Sequence, residues 1–294
     1  MTNQTIGFIG LGVMGEPMCR NLARKFGQAV IAFDLRSEPL DRLAADRVER
    51  ATSIQEIAER ANVILMSLPS GNEVEEICAG DNGLITRARA GQTFVDLGTS
   101  PVKLARLLAH GFAERDTDFA DAPVARTRAA AEAGTLSVMV GASEQTFGRI
   151  EPLLRTFATE ITHCGDVGAG QLTKILNNMV LFETGIALAE ALALARHNGL
   201  DPALLFTTLA KGSADSFALR NHGMKAMLPG DFPERAFSAR YALKDISYAL
   251  ECASDAGLTL AGAKLARTRL EEAIAAGFGE QYWPVIARVI GEKR

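Results

Sequence analysis

The sequence predicts a doubly wound α/β domain followed by an all-helical domain. In the first half, short β-branched runs alternate with helical stretches, which is typical of a parallel sheet with crossover helices. After Gly168 the strand signals stop, and Ala, Leu and Glu recur with helical periodicity. The length of 294 residues suits two domains of ordinary size. We therefore expect domains at 1–165 and 166–294.

The strands and helices of the first domain follow from periodicity. Helices are expected between the strands wherever apolar residues recur three or four positions apart, at 18–26, 40–50 and 102–112. Two later runs should extend the sheet beyond the first four strands. The expected strands are TIGFIG (5–10), AVIAFD (29–34), NVILMS (62–67), TFVDLG (93–98), 118–124 and 135–142.

The second domain should consist of helices around one long apolar helix. That helix is expected from about 171 to about 197, and further helices at 202–210, 239–257 and 262–277. Glu183 and Glu190 interrupt its apolar run, which is also short for a bilayer. We interpret it as a buried core helix and expect no membrane partner. The segment 228–237, with two prolines, should form a structured turn.

Charge and cysteine content exclude several classes of protein. Lys and Arg number 31 against 35 Asp and Glu, so no overall positive field exists to bind nucleic acid. The four cysteines are scattered, which matches neither a disulfide framework nor a zinc ribbon and favours a reducing cytoplasm. The histidines show no metal-ligand spacing, and the N-terminus has no secretory pattern. We expect a cytoplasmic protein without a metal.

A glycine-rich motif lies between the first strand and the first helix. In such a G-x-G-x-x-G turn, Gly10 permits the tight bend, Gly12 allows close approach of a pyrophosphate, and Gly15 allows the helix to pack on the strand. The pyrophosphate then lies at the positive end of the helix dipole. The motif alone is weak, but its context favours a Rossmann-type dinucleotide site made by Gly10, Leu11, Gly12, Val13, Met14 and Gly15.

An acidic residue at the end of the second strand indicates which dinucleotide is bound. Asp34 follows the last glycine by nineteen residues, close to the spacing of about 20 expected for a carboxylate that binds the ribose 2′-hydroxyl. A 2′-phosphate would be repelled by Asp34, although Arg36 would offset part of that repulsion. The sequence predicts NAD as cofactor, with NADP possible.

Two further loops, 67–74 and 96–101, follow predicted strands. In open α/β sheets, ligands bind at the carboxyl ends of the strands. We therefore expect Leu68, Pro69 and Thr99 to lie along the cofactor. The alternative interpretation is that these segments are ordinary turns rich in Gly, Pro and Ser.

The candidate catalytic residues lie at the domain boundary. Lys174 and Asn178 are four apart, so they share one helical face with Gln171 near the start of the long helix. A lysine in an otherwise apolar helix is unusual, and Asn177 beside Asn178 does not favour a helix. The alternative is a surface lysine whose stem lies along the helix.

These residues resemble the β-hydroxyacid dehydrogenase family, typified by 3-hydroxyisobutyrate dehydrogenase. The resemblance covers nearly the whole chain and rests on GFIGLGVMGEPM, LPSGNEV, DLGT, DAPV with GTLSVMVG, the G-x-G-x-x-x-K-x-x-N-N run at 168–178, and GDFPERAFSARYALKD. It implies that Lys174 is the general acid or base and that Asn178 orients the substrate. It also implies that Thr99 and Lys244 contact the dinucleotide, and that the helical domain forms a homodimer or homotetramer.

One segment departs from the family pattern. Members commonly read DAPVSGG, whereas this chain reads DAPVARTR, with Ala125, Arg126 and Thr127 at the three substrate-binding places. A guanidinium and a hydroxyl suit a larger or more strongly anionic head group. The pattern is similar to that of sulfolactaldehyde reductases, in which an Arg-Thr pair binds a sulfonate. Alternatively, Arg126 points to solvent.

The expected reaction is hydride transfer between NAD(P) and a small anionic 3-hydroxy acid or hydroxy-sulfonate, or its aldehyde. Lys174 takes the hydroxyl proton in oxidation or gives it in reduction. Reduction needs the ammonium form, which is the ordinary state of lysine at neutral pH, so reduction is favoured. Two alternatives remain: an imine reductase-like enzyme, which usually lacks the lysine, and a non-catalytic dinucleotide-binding regulatory protein.

Overall fold

The computed structural model describes residues 4–234 and 236–291. The chain forms two compact units, Met1–Lys174 and Ile175–Arg294. The first unit therefore includes the first residues of the long helix, because a buried carboxylate from the sheet binds the start of that helix.

A mixed sheet forms the centre of the first unit. Five neighbouring pairs among β1 to β6 are parallel, and β8 then pairs antiparallel with β6 and β7 but parallel with β9. The strands are β1 Thr5–Ile9, β2 Ala29–Phe33, β3 Val48–Arg50, β4 Val63–Met66, β5 Thr93–Asp96, β6 Asp118–Asp121, β7 Val124–Ala125, β8 Leu136–Gly141 and β9 Ala158–Gly165.

The strand order determines where a ligand binds. Along the sheet the order is β3-β2-β1-β4-β5-β6-β8-β7, so the chain changes direction between β1 and β4. In open α/β sheets, the crevice at the carboxyl ends of the strands beside this reversal holds the ligand. The expected Rossmann-type fold is confirmed, and the loops that follow β1, β4 and β5 meet at one edge.

Helices connect the strands of the first unit, and serine side chains begin several of them. Ser53, Ser70 and Ser143 each accept a backbone N–H from the first turn, which satisfies a donor that has no partner within the helix. The helices are α1 Gly15–Phe26, α2 Ser37–Leu43, α3 Ile54–Arg60, α4 Gly71–Ala79, α5 Leu84–Arg87, α6 Val102–Ala113, α7 Arg128–Ala133 and α8 Glu144–Leu154.

The helix expected at 40–50 is wrong in its second half. Helix α2 ends at Leu43, a short 3-10 turn follows, and Arg47 has a left-handed backbone with φ 61°. Residues Val48–Arg50 instead form β3, in which Val48 pairs with Val30 of β2. Pairing at the sheet edge outweighs a helical pattern that neighbouring residues alone suggested.

The second unit packs around the long helix α9, Ala169–His197, which begins in the first unit. Phe182 of α9 contacts both Trp283, edge to face, and Phe237. A side chain at Gly185 would overlap the Trp283 ring, so this glycine allows the ring to reach the helix. The other helices are α10 Pro202–Leu209, α11 Ala239–Asp255, α12 Ala261–Ala273 and α13 Ile286–Gly291, with π-helical turns at Leu219–Met227 and Ile274–Phe278 and a 3-10 turn at Trp283–Val285.

Within the part of the chain that the structure describes, only α9 is long and apolar enough to cross a membrane. Composition alone does not distinguish a spanning helix from a core helix. Phe182, Leu192 and Ala195 are buried on α9, and the Phe182 ring packs edge to face against Trp283 in the second unit. These contacts agree with the interpretation of α9 as a core helix.

A buried histidine in the second unit predicts acid sensitivity. Burial lowers the pKa of His222 to about 4, and Tyr282 hydrogen-bonds its Nδ1. Between about pH 6.5 and 4 the unfolded chain binds a proton that the folded chain excludes, so stability falls as pH falls. We expect His222→Gln to remove about 2 kcal/mol of this loss, measured by urea unfolding at pH 7 and 4.5. An unchanged pH dependence would contradict the prediction.

Candidate functional site

The glycine loop after β1 leaves space for a dinucleotide. Gly10 has φ +89°, and a side chain there or at Gly15 would overlap backbone oxygens of Ser67 and Gly10 respectively. By contrast, a Cβ at Gly12 would meet nothing within 4 Å. Helix α1 begins without a side-chain cap, and although the Glu16 N–H donates to the Gly12 carbonyl at 3.1 Å, the positive end of the helix dipole faces this loop. The loop therefore fits the pyrophosphate of a dinucleotide.

Asp34, directly after β2, is held against this loop. Its Oδ2 accepts the Leu11 N–H at 2.6 Å, and its Oδ1 accepts the Arg36 N–H at 2.9 Å. The Arg36 side chain returns to the same place, with Nε 3.2 Å from Asp34 Oδ1 and Nη2 3.3 Å from the Leu11 carbonyl oxygen. The carboxylate is thus fixed beside the glycine loop at the end of β2.

Replacing Asp34 tests this assignment. We expect Asp34→Ser to weaken the binding of NAD by about ten- to a hundredfold, since charge-assisted hydrogen bonds contribute about 1.5–3 kcal/mol. The affinity for NADP should fall less, because the variant removes the repulsion between Asp34 and the 2′-phosphate while Arg36 remains. The measurement is the ratio of kcat/KM for the two cofactors. Asp41→Ser, which removes an exposed carboxylate paired with Arg50, is the control; an equal ratio in both variants would contradict the prediction.

The predicted loops after β4 and β5 lie beside the glycine loop in strand order. Strand β4 pairs with both β1 and β5, and the Ser67 N–H donates to the Ile9 carbonyl. Leu68 and Thr99 are half-buried, while Pro69 is exposed. The structure therefore brings the glycine loop and the loops that carry Leu68, Pro69 and Thr99 to the same sheet edge.

The start of α9 is bound to the sheet by Asp121, the last residue of β6. Its Oδ1 accepts the Gly168 N–H and its Oδ2 accepts the Gln171 N–H, both at 2.6 Å. Burial raises the pKa of Asp121, and the backbone N–H groups partly counteract this. The carboxylate thereby satisfies donors that the first helical turn leaves open.

Gln171 connects α9 to the loop after β5. The side chain is fully buried, and its Nε2 donates to the Gly98 carbonyl at 2.9 Å and to Asp96 Oδ2 at 3.2 Å. Its Oε1 accepts the Ser100 N–H at 3.0 Å. This loop contains Thr99, one of the predicted cofactor residues.

Lys174 and Asn178 follow Gln171 at helical spacings of three and seven residues, so the three share one face of α9. Gln171 and Asn178 are fully buried, and Lys174 between them is half-buried. The neighbouring residues Thr173 and Leu176 are exposed. Lys174 therefore belongs to the buried polar face of the helix, which argues against a lysine that only extends along the surface.

Within the second unit, Asn178 has a defined orientation. Its Nδ2 donates to Asp245 Oδ2 at 2.7 Å, and its Oδ1 accepts from Asn177 at 3.0 Å. Lys244 Nζ lies 3.2 Å from Asp245 Oδ1 and about equally far from two tyrosine rings, 5.3 and 5.4 Å from their centroids. Asp245 and Asn177 therefore fix the orientation of the Asn178 amide.

The departing segment after β6 adopts an unusual backbone. Arg126 has φ +87°, a conformation that favours glycine. Its Nη1 donates to the Thr135 carbonyl at 2.6 Å and to Thr159 Oγ1 at 3.2 Å. Thr127 caps α7 through the Ala130 N–H, and Ala125 ends β7. The Arg126 side chain is exposed, and these two bonds hold its guanidinium beside the start of β8 and the start of β9, with further N–H donors remaining.

The sequence analysis did not identify three carboxylates that hold these groups. Asp96, Asp121 and Asp245 are all buried, and each accepts a hydrogen bond from a residue of α9. Each lies within a motif used for the family resemblance, namely DLGT, DAPV and the final KD. Their positions at strand ends were the signal that could have revealed the first two.

Comparisons with known proteins cover both units. Residues 5–165 match the family model of the NAD binding domain of 6-phosphogluconate dehydrogenase. Residues 168–290 match the model described as NAD-binding of NADP-dependent 3-hydroxyisobutyrate dehydrogenase. Both matches agree with the binding of NAD(P).

Individual relatives are similar over nearly the whole chain. The chain is 35% identical to 2-(hydroxymethyl)glutarate dehydrogenase of Eubacterium barkeri, over 97% of this chain and 94% of that protein. It is 38% identical to 3-hydroxyisobutyrate dehydrogenase of Pseudomonas aeruginosa, over 81% of this chain and 78% of that protein. A solved structure of Mycobacterium tuberculosis 3-hydroxyisobutyrate dehydrogenase with L-serine has a TM-score of 0.85 at 30% identity, covering 98% and 99% of the two chains.

Proposed function

The chain belongs to the β-hydroxyacid dehydrogenase family and is an NAD(P)-dependent dehydrogenase or reductase of that type, and we propose that it interconverts a small acidic 3-hydroxy acid, or a hydroxy-sulfonate, and the corresponding aldehyde. The observation that carries the proposal is the polar face of α9, where half-buried Lys174 lies between buried Gln171 and Asn178. An amine in that place serves proton transfer.

Residues of the first unit would hold the dinucleotide. The open space at Gly12, the uncapped start of α1 and the fixed Asp34 carboxylate fit its pyrophosphate and ribose. Thr99 and Lys244 are the proposed further contacts. When bound, the dinucleotide supplies a hydride to the substrate carbon or receives one from it.

Lys174 performs the proton transfer that balances the reaction. In reduction, its ammonium donates a proton to the carbonyl oxygen as the carbonyl carbon gains the hydride, and an alcohol forms. In oxidation, the neutral amine takes the hydroxyl proton. Because lysine is ordinarily protonated at neutral pH, we propose reduction as the working direction.

Asn178 orients the oxygen that receives the proton. Asp245 and Asn177 fix its amide, so that the second Nδ2–H is the group that faces the substrate oxygen and donates to it. Such a donor stabilises the negative charge that develops on the carbonyl oxygen during reduction. The amide therefore complements the amine one helical turn away.

The segment of Ala125, Arg126 and Thr127 is the proposed binding place for the anionic end of the substrate. Arg126 carries a permanent charge and a strained backbone at a place where relatives in this family commonly have glycine. Two relatives are named for 2-(hydroxymethyl)glutarate and 3-hydroxyisobutyrate, which are both hydroxy acids. The guanidinium favours a substrate with two carboxylates, or with a sulfonate, over one with a single small carboxylate.

A panel of aldehydes tests the proposed function. NADH and NADPH oxidation would be followed with malonate semialdehyde, succinate semialdehyde, sulfolactaldehyde and neutral propanal. We expect steady turnover with at least one acidic aldehyde and kcat/KM at least tenfold lower with propanal. Absence of turnover with every acidic aldehyde and both cofactors, from protein that binds NADH, would contradict the proposal.

We further propose a cytoplasmic homodimer or homotetramer. All four cysteines are free thiols, which suits a reducing compartment. The second unit exposes large apolar side chains on α9 and α10, among them Val180, Leu194 and Leu204. Such exposed apolar surface is typical of an interface between copies, and sedimentation of the purified protein would test it.

A further inference from the structure

Two buried aspartates end neighbouring strands of the first unit. Asp96 of β5 and Asp121 of β6 are partners in the parallel register, and the two residues are 1% and 0% exposed. Gln171 bonds to both, through its backbone N–H to Asp121 Oδ2 and through its side-chain Nε2 to Asp96 Oδ2. One residue of α9 thus joins the helix to two adjacent strand ends.

The same residues hold the loop on both sides of Thr99. Gly98 donates its N–H to Asp96 Oδ1 at 2.8 Å and accepts from Gln171 through its carbonyl. Ser100 donates its N–H to Gln171 Oε1, and its hydroxyl donates to Asp96 Oδ2 at 2.7 Å. Gly98 and Ser100 are therefore each held by two hydrogen bonds, with Thr99 between them.

Both N–H groups of the Gln171 side-chain amide donate and its oxygen accepts, all inside the protein. No donor of this amide remains for a substrate, so Gln171 is unsuited to bind substrate directly. A buried polar network that is fully satisfied is rigid and specifies one arrangement of its members. Lys174 follows three residues later on the same helix, about 4.5 Å along its axis at 1.5 Å per residue.

We propose that Gln171, braced by Asp96, is a positioning residue that fixes the spacing between the Thr99 loop and the Lys174 amine. This inference rests on the proposed function, in which Thr99 contacts the dinucleotide and Lys174 moves the proton. Proton and hydride transfer need their groups aligned to a fraction of an ångström, and small displacements cost large factors in rate. The Gln171 brace supplies that alignment from outside the reacting atoms.

The test replaces Gln171 by methionine, which retains the length of the side chain and removes every hydrogen bond of its amide. Gln92 is a matched control: it is a buried glutamine of the same unit, and its amide bonds only to backbone groups of Ala58, Ala61 and Arg89. Both variants should lose similar thermal stability. Assays would be run well below the melting temperature of each, with NADH and the acidic aldehyde that the wild type reduces fastest.

We expect Gln171→Met to lower kcat at least tenfold and to increase the primary isotope effect with deuterated NADH, because the chemical step becomes slower. The NADH dissociation constant, measured by fluorescence of the binary complex, should rise about three- to tenfold as the Thr99 loop loosens. Gln92→Met should change neither quantity by more than twofold. If Gln171→Met matches Gln92→Met in both kcat and NADH binding, the positioning proposal is overturned.

A second variant keeps the proposal testable if Gln171→Met fails to fold. Gln171→Glu retains an acceptor for the Ser100 N–H, and its protonated form also retains a donor toward Asp96. The kcat of Gln171→Glu divided by that of the wild type should therefore rise as pH falls from 8 to 6. A ratio that does not change with pH would count against the brace.

Failure of the proposed function is separable from failure of this inference. The proposed function fails if the wild type reduces no acidic aldehyde, and the proposed role of Lys174 fails if Lys174→Ala, assayed beside these variants, retains wild-type turnover. The effect of Gln171→Met on NADH binding still decides whether Gln171 holds the Thr99 loop. If Lys174→Ala is inactive while Gln171→Met has normal kcat and NADH affinity, only the positioning proposal fails.

Discussion

Replacing Lys174 by alanine is expected to lower kcat about a thousandfold while NADH still binds. General acid-base catalysis by a positioned side chain contributes about 10²–10⁴-fold, and the variant removes the proton donor without altering the glycine loop or Asp34. The measurements are kcat with an acidic aldehyde and NADH affinity by fluorescence. A small primary amine such as ethylamine, added to the assay, should restore part of the rate to Lys174→Ala.

Lys264→Ala is the control for this experiment, because Lys264 is an exposed lysine of the helical unit. It should leave kcat and NADH affinity within twofold of the wild type. Retention of a third or more of wild-type kcat by Lys174→Ala would show that the amine is not the proton donor. In that case, the polar face of α9 would be structural.

Replacing Arg126 by alanine is expected to raise KM for an acidic aldehyde about ten- to a hundredfold. Charge-assisted hydrogen bonds to an anion contribute about 1.5–3 kcal/mol, and these bonds are lost in the variant. KM for neutral propanal should change less than threefold, since propanal has no anionic group to bind. Arg128→Ala is the control, because this neighbouring arginine pairs with Glu132 and is largely exposed. Equal increases for both aldehydes would remove Arg126 from the anion site.

The backbone conformation of Arg126 predicts that Arg126→Gly and Arg126→Ala differ in stability. At φ +87° a side chain is strained, whereas glycine adopts this conformation readily. Both Arg126→Ala and Arg126→Gly lose the guanidinium bonds to Thr135 and Thr159. Only the glycine variant also loses the strain, so it should be more stable than the alanine variant by about 1 kcal/mol in urea unfolding. If Arg126→Gly is less stable than Arg126→Ala, the backbone at this position is not strained.

If both results are obtained, Arg126 is a residue kept for binding at the expense of local stability. Strained backbone conformations are typical of functional sites. The comparison of KM with unfolding free energy across the three side chains at this one position distinguishes a binding residue from a structural one.

The fold class was predictable because its signals are local. Alternation of β-branched runs with helical periodicity lies within windows of about 11–18 residues, and the glycine motif lies within six. The structure confirms the parallel strands and the helical second half. The edge strand β3 was missed, because Val48 becomes part of a strand only by pairing with Val30, which is distant in sequence.

The candidate site divides in the same way. The spacing of Lys174 and Asn178 and the position of Asp34 after its strand could be inferred from the sequence, since one helix or one strand end determines each. Their partners could not. Asp245 is 67 residues from Asn178, and Asp96 is 75 residues from Gln171. No pattern of neighbouring residues specifies those contacts.

The order of elements, the dinucleotide loop and the helix that carries the amine could thus be predicted from the sequence, since each depends on residues close together along the chain. The three-dimensional contacts were needed to identify the buried carboxylates that hold that helix and loop and the groups that bind the guanidinium of Arg126. Those contacts depend on strand order and on the packing of distant segments, where an unpaired buried polar group costs free energy and most such groups are therefore hydrogen-bonded.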